Sequence, residues 1–125
     1  MDYKRIQKSL LDFSEKHGLI ERAKKSCKNV IKNIVEENNG DLSRIGGFDI
    51  NELIFEFNSQ ILIFKSYTTD VPFIRTQIGI YIKDLNEVWI RNIEPIGSYE
   101  LDTSFEGEDI DDWLNIDKTK KFKKE

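Results

Sequence analysis

The spacing of apolar residues changes once along this chain, and that change limits the folds open to it. Before residue 37 the apolar residues recur every three or four positions, which places them along one side of a helix. From residue 52 onward they alternate with polar residues, the spacing of a strand with one buried face. Helices followed by strands predict an α+β fold.

Two helices are predicted in the first part of the chain. The first covers residues 3–17, with Asp2 as its N-cap and Gly18 as its C-terminal stop. The second has its apolar stripe over residues 20–34. Both helices carry Lys and Arg on the opposite side, so each is predicted to pack through one face only.

The remainder is predicted to form an antiparallel meander of four to five strands. The predicted strands are residues 52–57, 61–67, 73–83, 88–93 and 99–103. A turn at residues 58–60 would join the first two as a hairpin, while Pro95 and Gly97 would interrupt the sheet later. Alternation within the third strand points four side chains towards the helices: Ile74, Ile78, Ile80 and Ile82. We therefore expect two N-terminal helices packed on one face of this sheet.

Length and composition predict a single α+β domain at residues 1–117, followed by a Lys-rich C-terminal tail at residues 118–125. Apolar runs such as residues 61–64 are far shorter than the ~20 residues of a membrane span. The N-terminus has no apolar signal-peptide core, and Cys27 is the only cysteine. These features predict a cytoplasmic protein that does not act at a membrane.

Charge is strongly segregated along the chain. Residues 1–37 contain nine basic and six acidic side chains, whereas residues 100–117 contain eight acidic side chains and no basic one. The tail at residues 118–125 then contains five Lys. The acidic segment is open to two interpretations, a solvated loop and strand end or a recognition surface for a basic protein.

Trp113 favours the second interpretation, because an aromatic residue flanked by carboxylates is typical of an interface anchor with a charged rim. Trp113 and Leu114 would alternatively pack the last strand onto the core. The predicted partner-binding residues are Glu100, Asp102, Glu106, Glu108, Asp109, Asp111, Asp112 and Trp113.

Other kinds of site find less support in the sequence. The acidic residues could bind Ca²⁺ or Mg²⁺, but Gly107 precedes most of them rather than lying within a calcium-loop spacing, so no metal or cofactor is predicted. His17 and Cys27 are the only His and Cys. Cys27 is interpreted as a small core residue and His17 as a helix-end residue beside favourable carbonyl dipoles, so no catalytic residue is predicted and the protein is not expected to be an enzyme. Direct nucleic-acid binding by the basic tail is not expected, because the neighbouring acidic segment would repel phosphate.

Three segments give the chain a resemblance to a known group. They are Glu-Val-Trp-Ile at residues 87–90, Gly-Ser-Tyr-Glu-Leu-Asp at residues 97–102 and Gly-Glu-Asp-Ile-Asp-Asp-Trp at residues 107–113. In layout, size and acidity the chain resembles small immunity proteins, the cytosolic partners of bacterial polymorphic and contact-dependent toxins. The resemblance implies tight one-to-one binding that blocks a toxin, often a basic nuclease, at or near its active site.

The expected function is therefore that of an immunity-type protein that neutralises a basic toxin domain through its acidic surface. One alternative is a phage-encoded inhibitor of a host nucleic-acid enzyme, in which the acidic segment imitates phosphate. Another is a small metal-dependent hydrolase that uses the same carboxylates.

Overall fold

The computed structural model describes residues 1–37, 44–83 and 90–117. The predicted turn at residues 84–87, the beginning of the predicted strand at residues 88–93 and the tail at residues 118–125 lie outside the described residues. Two helices precede an antiparallel sheet of four strands, so the α+β prediction is confirmed.

Both helices form where the apolar spacing predicts them. Helix α1 spans Tyr3–His17, and the Asp2 carboxylate caps it by accepting a hydrogen bond from the backbone N–H of Arg5 at 3.2 Å. Gly18 ends α1 in a left-handed conformation (φ +58°), and α2 follows at once as Leu19–Glu37. Neither helix combines the length and the apolar character that crossing a bilayer requires.

The described strands form one short hairpin and one larger sheet. The hairpin pairs β1 (Arg44–Ile45) with β2 (Phe48–Asp49). The larger sheet has the order β3-β4-β5-β6 and consists of Ile54–Ile63 (β3), Phe73–Lys83 (β4), Ile93–Ser104 (β5) and Asp109–Ile116 (β6). Each of these strands pairs with its neighbour in sequence, which confirms the predicted antiparallel meander.

The predicted hairpin with a turn at residues 58–60 is wrong. Those residues lie inside β3, which runs without interruption along β4. A β-bulge between Phe57 and Ser59 absorbs one extra residue, so the polar side chains stay within the strand. Gln60 is directed to the helix side, where its side-chain amide donates to Ser14 Oγ at 2.8 Å and to Thr76 Oγ1 at 3.3 Å.

The predicted interruption at Pro95 and Gly97 is also wrong, because β5 continues through both residues. A register shift at this point leaves Ile96 as the extra residue, and Ile96 is fully buried. Gly97 is needed for close strand packing, since a Cβ there would collide with the backbone carbonyl of Asn115 on β6. Before β5, Ile90–Asn92 forms a 3-10 turn rather than the predicted strand.

The helices cover one face of the larger sheet. Ile78 and Ile80 at the middle of β4 have no exposed surface and belong to the same core cluster as Cys27 and Ile31 of α2. Ile74 is also buried, and Ile82 packs against the cluster from its edge. The predicted orientation of β4 towards the helices is therefore confirmed.

Cys27 provides a test of this packing. The side chain is fully buried, and burial raises the pKa of its thiol to about 12, so the reactive thiolate is scarce at neutral pH. We expect the native protein to react with a disulfide reagent such as 5,5′-dithiobis(2-nitrobenzoate) at least a hundredfold more slowly than the unfolded chain. Complete labelling of native protein within seconds would contradict the buried position of Cys27.

Candidate protein-binding surface

The larger sheet has a second face that points away from the helices, called here the open face. Because side chains alternate along a strand, the β4 residues that alternate with Ile74, Ile78 and Ile80 lie on it. They include Phe73, Arg75, Gln77 and Tyr81. In the larger sheet, β6, which carries half of the predicted site residues, lies alongside the charged residues of β5.

Arg75 lies on the open face and pairs with two of the predicted site residues. Its Nε and Nη2 donate to the two carboxylate oxygens of Asp102 at 2.9 and 3.2 Å, and Nε lies 3.4 Å from Glu100 Oε2. The hydrogen bond to Asp102 is the main cause of the raised pKa of Arg75, to which the charges of Asp102, Glu100 and Asp111 also contribute. Only 4 % of the Asp102 side chain is exposed, so this carboxylate holds the sheet together rather than meeting a partner.

A row of polar side chains continues from Glu100 across the sheet. The side-chain amide of Gln77 donates to Glu100 Oε1 at 2.8 Å, and Ser59 Oγ donates to Gln77 Oε1. The row connects β3, β4 and β5, so it fixes the Glu100 carboxylate from two sides. Glu100 and Asp102 are thus structural members of the acidic segment.

Trp113 lies on β6 next to this row. Its ring packs over the Arg75 guanidinium, whose central carbon is 4.7 Å from the ring centroid. At the same time 43 % of the residue is exposed. Trp113 is therefore neither a core residue nor a free one: Arg75 holds the ring in a fixed position while part of it stays accessible.

Two further acidic residues are engaged with the helix side of the molecule. Asp109 Oδ1 lies 2.5 Å from Arg22 Nη2 on α2, which ties the beginning of β6 to the helical layer. Asp112 Oδ2 accepts a hydrogen bond from the Tyr99 hydroxyl at 2.6 Å. The pKa of Tyr99 is raised, first by burial and then by this carboxylate. Both carboxylates have partners within the chain.

Three acidic residues of the predicted site remain: Glu106, Glu108 and Asp111. All three are exposed, and no side-chain ion pair engages them in the described part of the chain. Glu106 and Glu108 lie in the turn between β5 and β6, called here the acidic turn (residues 105–108). Fewer acidic residues are therefore free to meet a partner than the sequence predicts.

The acidic turn is held firmly. Ser104 Oγ accepts hydrogen bonds from the backbone N–H groups of Glu106 and Glu108 at 3.3 and 3.2 Å. Gly107 has a φ of +84°, and a Cβ there would lie 2.6 Å from ring atoms of His17. The turn therefore rests on the end of α1, which is the role that His17 plays in this fold.

A groove of about 480 Å³ opens beside Trp113 at the end of the sheet. Its aromatic walls are Phe73 and Trp113, and its rim includes the hydroxyl-bearing residues Ser66, Thr68 and Thr69 from the connection between β3 and β4. Its charged lining residues are Arg75, Asp102 and Asp111. An apolar cavity of about 400 Å³ lies elsewhere, between α1 and β3, and has no charged side chain in its lining.

Of the residues considered for metal binding and catalysis, Cys27 lies in the core and the others form no ligand cluster in the described part of the chain. That part of the chain contains no cluster of three or more His, Cys, Asp or Glu side chains that could hold a metal ion. The Cys27 thiol is buried and stays protonated near neutral pH, and the His17 ring contacts Phe13 in a tilted arrangement with ring centroids 4.5 Å apart. Asp111 and the half-exposed Trp113 line one groove, while Glu106 and Glu108 lie in the acidic turn.

No protein-family model matches the chain, and comparison with curated proteins and with solved structures gives no match. The surface formed by the acidic turn, Asp111, Trp113 and the groove is therefore the feature that points to a function.

Proposed function

We propose that this protein binds a basic protein and neutralises it, as an immunity-type protein does with its cognate toxin. The observation that supports this is a set of three exposed carboxylates, Glu106, Glu108 and Asp111, which form no side-chain ion pair in the described chain. Asp111 lines the groove together with the half-exposed Trp113. Uncompensated carboxylates favour a cationic partner, and a fixed aromatic ring offers an anchor at the centre of the contact.

A basic enzyme acting on nucleic acid fits this surface well. Its active site attracts phosphate through Lys and Arg, and the same side chains attract closely spaced carboxylates. The acidic turn would occupy that cationic surface and exclude the substrate electrostatically. Binding near the partner's active site then accounts for neutralisation without any chemistry on the inhibitor.

Stoichiometric inhibition tests the proposal. The full chain is immobilised, basic proteins from the source organism are captured at low salt, and the captured protein is purified and assayed for the activity that its own sequence indicates. We expect a one-to-one complex in which that activity is lost at one molar equivalent. Undiminished activity in the presence of saturating inhibitor, or a partner that is itself acidic, would contradict the proposal. The identity of the captured protein, a toxin domain or a host nucleic-acid enzyme, separates the immunity role from the phage-inhibitor alternative.

A further inference from the structure

We propose that the groove beside Trp113 is an arginine pocket that receives one guanidinium side chain of the partner. The inference rests on the proposed function and adds the contact that anchors the complex. Three features of the groove support the inference: its charge, its aromatic walls and its rim.

The charge of the groove favours a cation even though Arg75 lines it. Asp102 engages the Arg75 guanidinium through both carboxylate oxygens, and Glu100 lies 3.4 Å from its Nε. Among the charged residues that line the groove, the two carboxylates of Asp102 and Asp111 outnumber the Arg75 guanidinium and leave a net negative site. Asp111 is exposed, and the hydrogen bond described for its side chain, from the Asp112 N–H at 2.9 Å, leaves carboxylate lone pairs for a ligand.

The aromatic walls are suited to a planar cation. Arg75 already lies over both rings, with its central carbon 5.8 Å from the centroid of Phe73 and 4.7 Å from that of Trp113. A second guanidinium can stack on the exposed part of Trp113 in the same manner. Stacking favours arginine over lysine, because the ammonium group is compact and more strongly hydrated.

The rim adds hydrogen-bond acceptors in a defined arrangement. Ser66 and Thr68 hydroxyls lie 3.3 Å apart, and the Ser66 N–H donates to the Thr69 carbonyl at 3.0 Å, so the connection is folded rather than extended at the groove. A groove of about 480 Å³ lies within the size range of side-chain and small-ligand sites, roughly 300–1,000 Å³. It has room for a single long side chain that reaches both Asp111 and the hydroxyls.

The test uses blocked tripeptides rather than the partner. N-acetyl-Ala-Arg-Ala-amide is titrated into the ¹⁵N-labelled full chain, with the Trp113 indole resonance identified from a Trp113→Phe spectrum. We expect shifts at the Trp113 indole and at the Thr68 and Thr69 amides, with a Kd on the order of 1 mM. The same peptide with Lys in place of Arg should bind several-fold more weakly. The same peptide with citrulline, which is uncharged, in place of Arg should bind at least tenfold more weakly.

Two single substitutions locate the site. Asp111→Asn removes a negative charge from the groove and should raise the Kd of the arginine peptide at least fivefold. Glu36→Gln removes an exposed carboxylate on α2, outside both the groove lining and the proposed contact, and should leave the Kd within twofold. Spectra of both variants without peptide confirm that the fold is retained.

The arginine pocket is wrong if the arginine peptide shifts no groove resonance, if citrulline binds equally well, or if Asp111→Asn has no effect. These outcomes are separable from failure of the proposed function. Should the pocket fail while the basic partner still binds and its association still depends on Glu106 and Glu108, the protein-binding role stands without this anchor.

Discussion

Replacing Ile80 by alanine is expected to lower the free energy of unfolding by about 2–5 kcal/mol. Ile80 has no exposed surface, lies opposite Phe55 on β3 and Gly97 on β5, and belongs to the core beneath α2. Its truncation would leave a cavity between the sheet and the helix that neighbouring side chains fill only in part. Urea denaturation followed by far-ultraviolet circular dichroism measures the loss.

Ile110→Ala is the matched control for that experiment. Ile110 lies on β6 and is 53 % exposed, so the same substitution removes little buried surface. Its cost should stay below about 1 kcal/mol. If Ile80→Ala also lowers the free energy of unfolding by less than about 1 kcal/mol, Ile80 does not face the helices as described. The assignment of the open face would then be wrong as well.

The combined substitution Glu106→Gln, Glu108→Gln and Asp111→Asn is expected to slow association with the basic partner by tenfold or more at low salt. These three carboxylates are exposed and form no side-chain ion pair in the described chain, so they contribute directly to the attraction during encounter. Surface plasmon resonance with the captured partner measures the rate. Thermal unfolding should be almost unchanged, since no described side-chain ion pair is broken.

A charge-matched control separates local from general electrostatics. Glu15→Gln, Glu21→Gln and Glu36→Gln change the net charge by the same three units at exposed positions on the helices. Association of this variant should slow by less than about threefold, because its charges lie outside the proposed contact. Equal slowing by both variants would mean that total charge matters and the acidic turn does not.

Local spacing predicted the elements whose apolar pattern is regular. Both helices and β4 form where that pattern predicts them. Most buried residues of α2 and β4 come from the apolar stripes, whereas the buried residue of α1 is the polar Ser14. The two wrong strand breaks share a physical cause. At Asn58 and at Ile96 a β-bulge carries polar or strand-breaking residues through the sheet, and only the neighbouring strand determines that the pairing resumes afterwards.

The sequence alone identified the acidic segment. It did not predict which carboxylates of that segment form contacts within the molecule and which remain exposed. Asp109 is paired with Arg22, 87 positions away, and Asp102 with Arg75, 27 positions away. Pairings over such distances depend on strand register and helix placement, which no local pattern contains. The sequence analysis did not identify Arg75 as part of the site. The alternation along β4 could have identified it, because the pattern that places Ile74 and Ile78 on the helix side also places Arg75 and Gln77 on the opposite face.

The division also explains why Asp109 and Asp112 are poor targets for testing recognition. Removing either carboxylate would break a contact within the molecule, to Arg22 or to the buried Tyr99 hydroxyl, and loss of binding could then follow from altered structure. Glu106, Glu108 and Asp111 avoid this ambiguity. Their substitution changes what a partner meets while leaving the described ion pairs intact.

The most direct measurement of the central claim is the association rate of wild-type and triple-variant protein with the partner as salt is raised through ~0.15 M, where screening acts beyond about 8 Å. Our account predicts a steep fall for the wild type and a much flatter dependence for the Glu106→Gln, Glu108→Gln, Asp111→Asn variant, with the two rates converging at high salt. A wild-type rate that is independent of salt and equal to that of the variant would contradict recognition through the acidic surface.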